Sequence, residues 1–276
     1  MKKLLFLCLA MMAACMLKNN EAQAEKVGKY EMSDTSSCSN YDVTGDGVPD
    51  TVNFEKLDAD ENDMYQAFKV IVNGNTVLYE YNQRFYDIIP VFMQTKDHGY
   101  FFISLTSEND DGTKKIYKYE DGCLKEVADL DDYVMKLYYH SSATVSSVKS
   151  NTITLKVVGQ TNMLAYTDMS FVYKVGKNGK LSLKNKVVKL SYTNFRYSEK
   201  KCGYKSKYLV AKKKIQVYRN ATGAQKAFSI KKGIKLKITK VCVKGKKPRY
   251  YCVTKSGKKG WVKSKFGLFK DTPYAG

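Results

Sequence analysis

Asp42-Val43-Thr44-Gly45-Asp46-Gly47-Val48-Pro49-Asp50 runs directly into Thr51-Val52-Asn53-Phe54-Glu55, and the second segment decides how the first is read. Val52 and Phe54 alternate with polar neighbours, the period of a half-buried strand. Pro49 lacks an N–H and resists a helix through that point. The acidic stretch is therefore a loop entering a strand. Its oxygen-bearing side chains fall at odd positions (Asp42, Thr44, Asp46, Asp50), and Val48 between them can offer its carbonyl. A hard cation such as calcium takes about six to eight oxygens from a tightly curled loop, with glycine where the backbone turns sharply; Gly47 stands there. The stretch reads as a calcium site, or as an acidic, glycine-rich turn at a strand start.

A helix-flanked calcium hand needs a bidentate Glu where Asn53 stands, which argues against an EF-hand or a dockerin. The D-x-[DNT]-x-D-G-x-x-D spacing instead resembles the calcium turn of FG-GAP and VCBS repeats. The likeness covers about fifteen residues and a single copy. It implies a calcium loop placed just before a strand in a sandwich-like or propeller-like surface domain. With three carboxylates and a neutral Asn53, the expected ion is structural and weakly held, at about 10⁻⁴ to 10⁻³ M.

Upstream, Met1-Lys2-Lys3, an apolar run from Leu4 to Leu17 and Ala22-Gln23-Ala24 form the pattern of a secretory signal peptide spanning 1–24. The run is short of the roughly twenty residues that cross a bilayer. Met12-Ala13-Ala14-Cys15 offers a competing reading, a lipoprotein box that would anchor the chain to a membrane through Cys15. Either expectation places the protein outside the cytoplasm, extracellular or wall-associated.

Charge divides the chain. Residues 25–173 hold 13 Lys/Arg against 24 Asp/Glu, whereas 174–276 hold 31 Lys/Arg against only Glu199 and Asp271. The net charge of +20 therefore hides an acidic half and a strongly basic one.

In the acidic half, taken as one domain over 25–192, short strand-like runs alternate with turn pairs. Gln66–Val72 and Thr76–Tyr81 flank Asn73-Gly74, a hairpin signal. Further strands are expected at Tyr100–Leu105, Ile116–Tyr119, Cys123–Val127, Val134–Tyr139, Thr152–Val158 and Ser170–Val175. Glu25–Asn40 reads as a loop, and Asp58–Gln66 as the one place for a helical turn. The acidic spots at 58–63 and 109–112 read as solvated loops. The fold class is all-β: a sandwich or propeller-like domain carrying the calcium loop, then a linker at 193–206 and a small barrel over 207–270.

The barrel expectation rests on Ile215-Gln216-Val217-Tyr218, the Lys231-Lys232-Gly233 turn, a long hairpin and Gly260-Trp261-Val262-Lys263. In that order they resemble a bacterial SH3 (SH3b) domain across about residues 208–268, which implies binding to cell-wall peptides or glycans. Lysines alternating with apolar residues give these strands a cationic face, so Lys231, Lys232, Lys235, Lys237, Lys258, Lys259, Trp261 and Lys263 are the candidate wall or polyanion contacts. The same lysines also suit plain solvation of edge strands. Expected partners are peptidoglycan or a teichoic-acid-like polyanion, and not nucleic acid. Cys242 and Cys252 flank the hairpin tip as facing positions would, either as a cross-strand disulfide or as two buried thiols.

No catalytic constellation accompanies these features. His98 lies in a turn and His140 ends a strand, with no G-x-S-x-G, H-E-x-x-H or Cys–His spacing nearby. The sequence thus points to a non-enzymatic, exported wall-binding protein. A wall hydrolase with an unrecognised catalytic half, and an adhesin or inhibitor acting through the acidic half, are the alternatives.

Overall fold

The computed structural model describes residues 26–33, 38–107, 112–130, 138–161, 163–164, 166–192, 195–197, 200–202, 208–244 and 248–270. The expected signal segment, Cys15, most of the 109–112 turn and the tip of the 243–248 hairpin lie outside them.

The protein is all-β. The first strands are β1 (Gly28–Glu31), β2 (Cys38–Tyr41), β3 (Asp50–Ala59), β4 (Tyr65–Val72), β5 (Asn75–Glu80), β6 (Asp87–Gln94), β7 (Gly99–Thr106), β8 (Lys114–Glu120) and β9 (Cys123–Asp129). Next come β10 (Tyr138–Lys149), β11 (Thr152–Thr161), β12 (Tyr166–Val175), β13 (Leu181–Leu183), β14 (Val187–Tyr192), β15 (Phe195–Tyr197) and β16 (Lys200–Cys202). The last are β17 (Leu209–Ala211), β18 (Ile215–Tyr218), β19 (Lys226–Ile230), β20 (Lys235–Cys242), β21 (Arg249–Thr254), β22 (Lys259–Lys263) and β23 (Phe269–Lys270).

Successive antiparallel meanders stack face to face. The sheet β2-β3-β4-β5 covers one face of β1-β6-β7-β8-β9. The other face of that middle sheet packs on β10, β11 and β12. Strand β7 records both contacts. Phe101, Ile103 and Leu105 join the first core, while Tyr100 and Phe102 join the second. A strand buried on both faces carries a continuous apolar run, which is what Tyr100-Phe101-Phe102-Ile103 supplies. The result has three layers, one more than a two-sheet sandwich.

Two-residue turns set the meander register. Asn73 and Gly74 both take positive φ (49° and 79°), closing β4 on β5 with Val72 opposite Asn75. The Asp58–Gln66 connection is a turn without helix: Asp60 Oδ1 accepts the Asn62 and Met64 amides at 2.9 and 3.0 Å. Those amides hold the Asp60 carboxyl below the usual carboxylate range. Glu25–Asn40 contributes β1 and β2 rather than loop alone, and β6 was not expected at all. Within the 193–206 linker, β15 pairs with β16.

The second large sheet runs β10-β11-β12-β14-β20-β21-β22-β18-β19, with β17 on β20 and β23 on β17. Strand β14 is its seam. Its end pairs with β12 (Met169↔Leu190), and its start pairs with β20 (Lys189↔Lys240, Val188↔Val241). One core accordingly runs from Met169 and Phe171 through Val188 and Leu190 to Leu236, Val241 and Tyr250. No sheet among the described residues closes into the expected barrel. The edge of β20 is shared, β17 taking its first residues and β14 its last. The sheet therefore continues into β12 instead of returning on itself.

Candidate functional site

The 42–50 loop is drawn inward by its own carboxylates. Asp42 Oδ1 accepts the amides of Gly45 and Asp46 at 2.7 and 3.1 Å, and its Oδ2 accepts that of Gly47 at 2.9 Å. Asp46 Oδ1 takes the Val48 amide at 2.8 Å. Asp50, 1% exposed, receives four donors: the Val43 and Thr44 amides on Oδ2 at 2.6 and 2.7 Å, and Thr44 Oγ1–H and Asn73 Nδ2–H on Oδ1 at 3.3 and 2.6 Å. A carboxylate has about four acceptor positions, so Asp50 is fully committed as an anchor. Among the described residues, no group of three or more His, Cys, Asp or Glu is arranged to hold a metal ion. A hard cation at this loop would draw on Asp42, Thr44, Asp46 and the Val48 carbonyl, with Asp50 fixing the strand behind them.

The basic strands sort their side chains by alternation. On β21, Tyr250, Cys252 and Thr254 are buried, leaving Arg249, Tyr251 and Val253 on the outer face. On β22, Gly260 and Val262 face inward and Lys259, Trp261 and Lys263 outward. Register then lines up the outer face across strands. Lys240 lies opposite Tyr251, Tyr251 opposite Trp261, and Trp261 opposite Tyr218. Directly opposed residues share a face, so these form one transverse row. Tyr251 and Trp261 meet edge-on, with ring centroids 5.1 Å apart.

The rings serve as seats for cations. The Arg249 guanidinium stands 4.7 Å and Lys263 Nζ 5.1 Å from the Tyr218 centroid, and Lys240 Nζ lies 5.7 Å from that of Tyr251. Arg249 is fixed further by donating from Nη1 to the carbonyls of Gly223 and Asn220 at 2.6 and 3.3 Å. These partners are neutral carbonyls, and no ion pair to Arg249 occurs among the described residues.

Beside this row opens a cleft of about 580 Å³ lined by Lys213, Lys214, Lys244, Arg249, Lys263 and Lys265 together with Tyr218. Residues 208–270 contain no Asp or Glu, so the segment has no carboxylate of its own to neutralise the cleft. Of the candidates read from the sequence, Lys263 lines the cleft, while Lys259 and Trp261 share its outer face on β22. Lys237 stacks over Tyr208 at 4.5 Å. Lys231, Lys232, Lys235 and Lys258 are exposed and none lines the cleft. The sequence reading missed Lys213, Lys214, Lys244, Arg249 and Lys265. Only the alternation of Arg249 with buried Tyr250 hinted at its outward side.

Cys242 and Cys252 do not face one another. Cys242 pairs with Arg249, and Cys252 pairs with Ile238 across β20 and with Gly260 across β22. An offset of about three residues puts them roughly 10 Å apart along the sheet, beyond the reach of a disulfide of about 7 Å between Cα atoms. Both are free, buried thiols. Burial pushes the Cys252 thiol from 9.0 up to about 11. His98 Nε2 contacts the Lys177 carbonyl at 3.1 Å, tying its turn to residues 176–179. The His140 side chain lies outside the described residues.

The chain matches no protein-family model, and no curated protein or solved structure matches it.

Proposed function

We propose that this chain is a non-catalytic, exported binding protein that attaches to an anionic polymer of the cell envelope, such as a teichoic-acid-like polyol phosphate, through the basic C-terminal strands. One observation carries the reading: a cleft of about 580 Å³ with six cationic side chains on its walls, in a segment without a single carboxylate. Holding like charges together costs free energy, and solubility does not require them to converge. The residues behind the SH3b resemblance support the same reading, since that family implies wall binding. Calcium at the 42–50 loop is a subordinate part of the proposal, steadying the acidic half where β3 begins.

The test uses the full mature chain and isolated wall polymer or inorganic polyphosphate. Binding should weaken linearly in log–log form as salt rises, because each neutralised anion releases counterions. Lys213→Gln with Lys265→Gln should lower affinity and flatten that slope by about two. Binding indifferent to both salt and charge removal would overturn the proposal.

A further inference from the structure

Two like-charged pairs stand directly opposite each other on the outer face of the large sheet: Lys189↔Lys240 on β14 and β20, and Arg249↔Lys263 on β21 and β22. Opposed like charges destabilise a sheet, and here they bracket the aromatic row instead of being scattered. The first pair belongs to a second cleft of about 500 Å³ at the seam, where Lys156, Ser170, Lys189 and Lys240 share the wall. Register explains the convergence. Lys156 lies opposite Ser170, and one step beyond the Met169↔Leu190 pair brings Ser170 alongside Lys189. Lys189 then faces Lys240, which faces Tyr251, followed by Trp261 and Tyr218. Among the described residues Asp168 is the one carboxylate lining this cleft, 3.5 Å from Lys156 Nζ.

We infer that the anionic polymer continues from the C-terminal cleft across the seam, where Lys156, Lys189 and Lys240 hold a second group of its anions. This rests on the polyanion reading above and extends it to strands outside residues 207–270. From β11 to β18 the row takes six steps between strands, roughly 29 Å along the sheet at about 4.8 Å per step. A ligand that uses all of it is linear and repeats its charge. It is read through its anionic groups, because Arg249, Lys263 and Lys240 already sit against Tyr218 and Tyr251, on rings that stacked nucleobases would need. A phosphate polymer without bases fits better than single-stranded nucleic acid.

The experiment titrates the full mature chain with tripolyphosphate and with a polyphosphate long enough to cover roughly 30 Å. Trp261, the chain's one tryptophan, lies in the row and reports binding by fluorescence. Lys156→Gln with Lys189→Gln should weaken the long polymer several-fold, lower its salt slope by about two and leave tripolyphosphate unchanged. Lys156→Arg with Lys189→Arg should restore wild-type binding, and unchanged thermal unfolding of each variant excludes misfolding. Long-chain binding untouched by the glutamine pair, while Lys213→Gln with Lys265→Gln still reduces it, overturns the seam site and spares the polyanion reading. Indifference to both pairs overturns both. Oligo(dT) that quenches Trp261 and displaces the long polyphosphate overturns the ligand class in favour of nucleic acid.

Discussion

Asn73 donates its Nδ2–H to Asp50 Oδ1 at 2.6 Å and accepts the Thr51 amide on its own Oδ1 at 2.9 Å. One side chain at a hairpin tip thereby joins the acidic loop to the strand that follows it. Asn73 supplies both the positive φ of its turn and this bridge, so the β4–β5 turn and the loop that opens β3 are fixed by the same residue.

That arrangement separates two carboxylates that look alike in sequence. Asp50→Ala leaves the buried Val43 amide and its neighbours without their acceptor, and should lower stability by about 3 kcal/mol whether or not calcium is present. Asp46→Ala removes an exposed carboxylate that accepts the Val48 amide. It should unfold like wild type in EDTA yet lose the increment that calcium adds. For a site near 1 mM, 10 mM calcium stabilises by about 1.4 kcal/mol. Thermal melts of both variants with and without the ion decide the point. Equal loss for Asp46→Ala in both conditions would make the stretch a turn alone.

The hairpins were legible because their turns carry their own chemistry: Asn73-Gly74, Asp121-Gly122 and Asn178-Gly179 each mark a reversal that the structure contains. Strand β6 was not. Its Ile88-Ile89-Pro90-Val91-Phe92-Met93 lacks clean alternation because the middle sheet is buried on both faces, and Pro90 reads as a breaker. The candidate site divides in the same way. Its cationic character is plain in the composition, but the clustering is a matter of register. A bulge between Ile238 and Lys240 puts Lys240 opposite Tyr251. No spacing rule along the chain reveals such a shift. Nor does it reveal that β14 brings Lys189 to face Lys240.

Gly260 explains why the G-W-V-K run takes the form it does. A Cβ there would come within 2.5 Å of Val217 Cγ1 and 2.8 Å of the Tyr218 carbonyl, so β22 closes on β18 only if this residue has no side chain. Gly260→Ala should cost about 1 to 3 kcal/mol in urea unfolding, by forcing those strands apart. It should also weaken polyphosphate binding beyond what the lost stability predicts, since Trp261 and Tyr218 are paired across the same contact. Wild-type stability in the alanine variant would show that the approach has room to relax.

The buried thiol of Cys252 gives the protein a specific alkaline weakness. In the unfolded chain the group ionises near its ordinary value of 9.0, whereas in the fold burial holds it protonated up to about 11. Between those values the unfolded state binds fewer protons than the native one, so stability falls as pH rises and the contribution is gone above about 11. The full effect is about 2 to 3 kcal/mol. Lysines and tyrosines also titrate in this window, so the measurement is the difference between wild type and Cys252→Ala, in which their contributions cancel. Wild type should lose ground to the variant steadily from pH 9 to 11, and the two curves should run parallel below pH 8. Native alkylation near pH 8 should label half-buried Cys123 while Cys242 and Cys252 react only on unfolding. A disulfide-linked peptide joining 242 to 252 would instead overturn both the register and the pH slope.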